Sequence, residues 1–244
     1  MMSHLVFTTL SANVFRHPLA MIDASGLSDL LTAYVHTSMP GGVHSHDCAQ
    51  TPAEEWNEKG FRESFAGASR RFGRTLLSLS HHDVAVLNRL GITWPLAAAR
   101  DELGRIAMLI VAASKAPQAT FLSILQRCYD EGDARERQSI LRALPLLPSA
   151  ERFVTLAFEA CRSHLQPLFE AIACDNPYPS TYFPDHPMNH MVLKALSLEI
   201  SLERIIGLQR RTTPELARMA ADYASERRAA GRSIPTDAWR LLRD

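Results

Sequence analysis

The strongest constraint on the fold is a train of helical patterns between residues 119 and 174, separated by breaks so short that the chain must double back at each. Apolar residues recur at helical spacing over residues 119–130, 133–144, 150–164 and 166–174. The breaks fall at Gly132, at Pro145 to Ser149 and near Pro167. Connections of that length favour antiparallel neighbours. A helix every ~15–20 residues resembles a stack of helical hairpins, and the lack of a strict sequence repeat makes it an irregular, HEAT-like one.

The flanks extend the same reading. Residues 61–79 place Phe61, Phe65, Phe72 and Leu76 on one stripe, with Arg70, Arg71 and Arg74 crowding the other face. Residues 83–90 form a second helix stopped by Gly91, and residues 96–114 a longer, apolar helix predicted to be central and buried. Further on, Asp185 or His186 is expected to cap a helix over 187–200, with Pro187 in its first turn. Thr212-Thr213-Pro214-Glu215 opens a helix over 215–230 that Gly231 ends, and Pro235 begins a terminal helix holding Trp239. No alternating β pattern is long enough to count, so the expected fold class is all-α.

Residues 61–244 read as one helical domain. Residues 1–60 are less defined, with short helices around 11–15 and 25–34 and a loop over 36–56 that carries His44, His46, Asp47 and Cys48. Those ligand types lack an identifiable second half, so a solvated loop is the plainer reading. Thr51-Pro52-Ala53-Glu54 fits a capping box that ends the loop in a helix.

Composition narrows the function classes. The 26 basic and 26 acidic side chains cancel, leaving no positive field to draw nucleic acid or anionic lipid. Cys48, Cys128, Cys161 and Cys174 are scattered without Cys-x-x-Cys spacing, which suggests reduced thiols in a cytoplasmic protein. The first ten residues lack a signal-peptide pattern. The longest aliphatic run, residues 106–113, falls far short of the ~20 residues a bilayer requires, so membrane contact would be peripheral.

The stretch most like a site is Cys174-Asp175-Asn176-Pro177-Tyr178-Pro179-Ser180-Thr181-Tyr182-Phe183-Pro184 and the helix after it. Pro177, Pro179 and Pro184 are expected to hold Asn176, Tyr178 and Phe183 extended. Tyr178 and Tyr182 either wall a pocket as rigid aromatics or pack across a hairpin and close the core. On a helical wheel Asn189 falls at the border of the apolar arc of Met188, Met191, Val192, Ala195 and Leu196. It either ties down the preceding loop or faces a ligand, since a buried amide without partners costs about 1–3 kcal/mol. Lys194 and His190 share the opposite, polar face with Ser197, where a lysine is usually solvated and otherwise binds an anion. His186 and His190 have the i, i+4 spacing that presents two imidazoles to a metal, but no acidic ligand is fixed with them. No metal or cofactor is therefore expected. Arg70 and Arg74 form either a solvated face or a grip for phosphate or carboxylate. No catalytic constellation is complete, so no catalytic residue is assigned.

Several motifs in fixed order carry a resemblance: Arg142-Ala143-Leu144-Pro145-Leu146-Leu147-Pro148, Phe169-Glu170-Ala171-Ile172-Ala173, Asp175-Asn176-Pro177-Tyr178-Pro179 and Asn189-x-Met191-Val192-Leu193-Lys194-Ala195-Leu196. With Arg204-Ile205-x-Gly207-Leu208 and Asp222-Tyr223-Ala224-x-Glu226-Arg227, the chain from Phe61 onward resembles the EboA family. Two positions depart from it: Met188 stands where that family has Trp, and His190 where it has Gln. The resemblance implies an accessory protein of a bacterial operon for making or moving specialised metabolites. It implies no chemical mechanism.

Together these readings predict a non-catalytic helical module that binds a small metabolite intermediate or an operon partner through Asp175, Asn176, Tyr178, Tyr182, Asn189 and Lys194. The rival is an enzyme acting on a phosphorylated or cyclitol-like intermediate, with Lys194 or His190 as acid or base. A third reading is a pure interaction scaffold.

Overall fold

A computed structural model describes residues 57–76, 81–89, 92 and 99–242. The early short helices, the loop with His44, His46 and Cys48, and the capping box at Thr51 lie outside them. Among the described residues the fold is all-α: twelve α-helices, three 3₁₀ turns and one isolated bridge between Leu76 and Ala99.

The first five helices are α1 (Glu58–Phe72), α2 (His81–Arg89), α3 (Arg100–Lys115), α4 (Gln118–Glu131) and α5 (Ala134–Ala143). After 3₁₀ turns at Leu144–Leu146 and Ala150–Phe153 come α6 (Val154–Arg162), α7 (Gln166–Ala173), α8 (Tyr178–Tyr182) and α9 (Asp185–Ser197). A third 3₁₀ turn, Leu202–Arg204, precedes α10 (Leu208–Arg211), α11 (Pro214–Ala229) and α12 (Ala238–Leu241). Packing runs along alternate helices, α1 against α3, α3 against α5 and α5 against α7, with α4 beside α5, α6 beside α7 and α9 on α11. The row is irregular, since its helices shorten from 16 residues in α3 to 8 in α7.

Local sequence accounts for most helix ends. Asn57 caps α1 by accepting from Gly60 N at 3.0 Å. Asp133 and Glu136 form a reciprocal capping box on α5. Thr213 Oγ1 accepts from Leu216 N at 3.1 Å to start α11, and Gly231, at φ 66°, follows its end.

Three boundaries differ from the sequence expectation. Helix α1 ends at Phe72 because Gly73 adopts φ 74°, so Leu76 leaves the apolar stripe and is exposed, and Arg74 no longer shares a helix with Arg70. Helix α3 starts at Arg100 rather than Leu96, because Ala99 is extended and bridged to Leu76. Helix α9 is capped by Pro184, and Asp185 sits within its first turn, where Arg211 binds its carboxylate at 3.0 Å.

Helix α3 is central, as its apolar run predicts, with ten of its residues buried. It approaches α1 so closely that a Cβ on Gly104 would lie 2.5 Å from the Phe72 ring. Any larger residue there would force the two helices apart.

The same helix carries charge into the core. Asp101 and Arg105, one turn apart, are 0% and 1% exposed. The Asp101 carboxylate accepts from Ser69 Oγ at 2.7 Å, Arg105 Nη1 at 3.0 Å, and Arg135 Nε and Nη2 at 3.0 and 2.7 Å. Arg105 also donates to the Phe65 carbonyl at 3.1 Å and to Ser69 Oγ at 3.1 Å. Alongside, Arg142 on α5 pairs with Glu102. Buried charge is tolerated here because each group has hydrogen-bond partners in fixed geometry.

Burial opposes ionisation of Asp101, but the hydrogen bonds from Arg135, Ser69 and Arg105 outweigh it and bring the carboxyl from 3.8 down to about 2. A carboxyl depressed in the folded state stabilises fully above its unfolded value and loses that contribution as pH falls through the folded one. Stability is thus expected to fall between about pH 4 and pH 2. Asp101→Asn, which leaves Arg105 buried without its counter-charge, should destabilise by about 3–5 kcal/mol in urea unfolding at pH 7 and flatten that acid limb.

Candidate functional site

The candidate site is built where the chain leaves α7. Asp175 takes φ 53°, a left-handed conformation that costs about 1 kcal/mol for a non-glycine residue and that Asp accepts better than most. The reversal is held from outside by Arg204. Asp175 N donates to the Arg204 carbonyl at 2.7 Å, and Asp175 Oδ2 accepts from Arg204 Nε and Nη2 at 3.0 and 2.8 Å. The same guanidinium reaches Glu170 at 2.7 Å, and this hydrogen bond is the main reason the Glu170 carboxyl stays below its usual range. Arg204 thereby ties the end of α7 and the turn after it to the segment before α10.

Asn176 is the amide that anchors the turn. Its Nδ2 donates to the carbonyls of Leu141 and Ala171 at 3.1 and 3.0 Å, and its Oδ1 accepts from Tyr178 N at 3.0 Å. One buried side chain thus joins α5, α7 and the turn. The Oδ1 contact offers Tyr178 N the partner a helix start needs, and residues 178–182 close into α8. Tyr178 is therefore helical, not extended as the following Pro179 predicts. Proline is tolerated at the second position of a helix, where its missing N–H is not required. Phe183, before Pro184, is extended as expected.

Tyr178 is fully buried, and its hydroxyl donates to the Ala150 carbonyl at 2.6 Å. Burial raises its phenol well above the ordinary tyrosine value. Its ring lies 4.7 Å from that of Tyr182, centre to centre, and edge-on to Phe183, which in turn meets Phe158 at 4.6 Å. Tyr182 is only half-buried, as is Phe158.

The far side of α8 is held by α10 and the residue before it. Gly207 has φ 77°, and a Cβ there would lie 2.8 Å from Ser180 Oγ. Arg211 donates to the carbonyls of Ser180 and Phe183 at 2.8 and 2.6 Å. Neither Arg204 nor Arg211 stands out as a clamp in the sequence, because each works on residues about 30 positions earlier.

Helix α9 separates the remaining candidates. Asn189 is 2% exposed, and its Oδ1 is buried with no hydrogen-bond donor among the described residues. Lys194 is not solvated. Its ammonium donates to the Cys161 and Ser163 carbonyls at 2.7 Å each, at the C-terminal end of α6, and sits 4.7 Å from the centre of the Phe169 ring. A cation there satisfies carbonyls that the helix leaves open and complements its dipole. Burial lowers the lysine below its ordinary value. His186 and His190 are exposed, with their Nε2 atoms 3.1 Å apart.

The structure therefore gathers Asp175, Asn176, Tyr178 and Tyr182 into one turn and sends Lys194 to the end of α6. Desolvation raises the thiols of buried Cys128 and Cys174 to about 11 and that of half-buried Cys161 to about 12, which disfavours the reactive thiolate. Among the described residues no three His, Cys, Asp or Glu side chains converge as a metal cage. A shallow trough of about 600 Å³ lies elsewhere, lined by Glu58, Lys59, Arg62, Glu63, Ala66 and Arg127. Its charges are matched: Arg127 with Glu58, Lys59 with Glu63, and Arg62 with Glu131.

A family profile described as "Metabolite traffic protein EboA" matches residues 30–243. The chain belongs to the EboA family. The match begins before Phe61, where the motif resemblance starts, and so takes in part of the N-terminal segment. No curated protein and no solved structure matches the chain. Met188 is fully buried, whereas His190 is exposed. No helix among the described residues is long and apolar enough to cross a membrane.

Two substitutions separate anchors from surface groups. Asn176→Ala should destabilise by about 3 kcal/mol, because it orphans two buried carbonyls and the Tyr178 N–H. Lys194→Met should cost about 1–2 kcal/mol through the lost cap on α6. Urea unfolding monitored by circular dichroism measures both.

Proposed function

We propose that this EboA-family chain is a non-catalytic accessory module of metabolite traffic that binds a small metabolite intermediate at the turn around residues 175–189, acting in the cytoplasm. The carrying observation is Asn189: a buried amide oxygen with no donor among the described residues, on the helix that follows the aromatic turn. A native core rarely leaves such an acceptor unpaired, and a ligand bearing an N–H or O–H donor would satisfy it. Tyr182, half-buried beside Tyr178, offers an aromatic surface for the ligand's apolar part.

Within this reading the six candidate residues divide by role. Asp175, Asn176 and Tyr178 build and hold the site, Tyr182 and Asn189 meet the ligand, and Lys194 caps α6 instead. The engagement of Lys194 speaks against the enzymatic alternative in the form that makes Lys194 the acid or base. An acid or base must present its proton to a substrate, and this ammonium faces two carbonyls at a helix end.

The test is metabolite capture. The full chain purified from its native host is denatured, and the released small molecules are identified by mass spectrometry. A reproducible compound is expected with the wild-type chain, and the Tyr182→Ala, Asn189→Ala double variant, shown to be folded by its circular dichroism, should lose it. A wild-type chain that carries no compound, or a variant that keeps it, refutes the metabolite reading. Co-elution of an operon-encoded protein in its place would identify the partner alternative.

A further inference from the structure

The exposed histidines of α9 are used by nothing described above. His186 and His190 project from successive turns on one face of the helix. Their rings meet at 61° with centres 4.4 Å apart, and the two Nε2 atoms approach to 3.1 Å. Two ring nitrogens that close are joined by an N–H···N hydrogen bond when one ring carries its proton on Nε2. If both rings carry their proton on Nδ1, two lone pairs face each other, and either a shared proton or a cation must relieve the repulsion.

The spacing suits a metal. With nitrogen–metal bonds of about 2.1 Å, nitrogens 3.1 Å apart subtend roughly 95° at the ion. That angle lies near the right angle of octahedral coordination, and a small opening of the side chains reaches the tetrahedral one. Both imidazoles are solvent-exposed, so water can complete the coordination shell.

The surroundings are acidic as well as basic. Asp185 lies in the first turn of α9 with its carboxylate on Arg211. Glu215, in the first turn of the neighbouring α11, is held by Arg218 at 3.0 and 2.7 Å. Its carboxyl lies below the ordinary value, chiefly through Arg218 and to a smaller extent through His186.

We propose that His186 and His190 form a two-imidazole clamp for a divalent transition-metal ion on the surface of α9, with zinc, nickel and copper the metals that imidazole favours. The clamp rests on the geometry of α9 alone and stands apart from the metabolite reading.

Calorimetric titration of zinc and of nickel into the full chain, previously treated with chelator, tests it. One equivalent should bind, and the melting temperature should rise with metal. His186→Ala and His190→Gln should each abolish that equivalent, whereas the His44→Ala, His46→Ala double variant should retain it. Both α9 positions are exposed, and metal-free melts show whether these variants fold as the wild type does. Loss of the equivalent in the two α9 variants with unchanged metal-free melts supports the clamp. Absence of binding to the wild type, or binding that survives either α9 substitution, overturns it. Retention by His186→Ala and His190→Gln with loss in the His44, His46 variant would place the metal on the N-terminal loop instead.

Discussion

One carboxylate, that of Asp101, receives four hydrogen bonds from α1, α3 and α5, and these helices begin the row on which the rest of the chain is laid. Apolar packing is tolerant of small rotations and slides, because dispersion and burial are nearly non-directional. A buried ion cluster is not. Moving α5 by half a turn would take Arg135 off Asp101 and leave the buried carboxylate with Arg105 as its one ion-pair partner among the described residues. Hydrophobic burial supplies the driving force for this row, and the Asp101 cluster defines its register.

The same logic repeats at the far end of the row with a neutral group. Asn176 binds a carbonyl of α5, a carbonyl of α7 and the N–H that starts α8, so the position of the aromatic turn is referred back to two helices. Arg204 and Arg211 then hold the turn from the other side. The result is a rigid ledge, with Tyr178 locked inside and Tyr182 at its edge. On the proposed metabolite reading, a rigidly held Tyr182 leaves little to be ordered on binding.

Much of this was legible in the linear chain. Helical spacing and the short breaks between residues 119 and 174 identified an all-α fold, and the EboA motifs placed the chain in its family, because both signals are local or ordered along the sequence. The buried nature of α3 followed from its apolar run. The Asp101 and Arg105 pair sits inside that run at helical spacing, a signal that was present but points equally to a surface ion pair until the helix is known to be central. Arg204 and Arg211 carried no local signal, since their partners lie on segments brought close only by folding.

What the sequence determined by itself was therefore the all-α class, most of the longer helices among the described residues and the family to which the chain belongs. Periodicity, caps and proline positions act within a few residues, and the order of motifs does not depend on how they pack. Tertiary structure alone decided what each polar side chain does. It turned Lys194 from a solvated lysine into a helix cap, made Asn176 the anchor of the turn, left the Asn189 oxygen without a donor among the described residues, and brought two imidazoles within 3.1 Å. The reason is physical: a hydrogen bond depends on distance and direction between groups, and those are properties of the packed helices, not of their spacing along the chain.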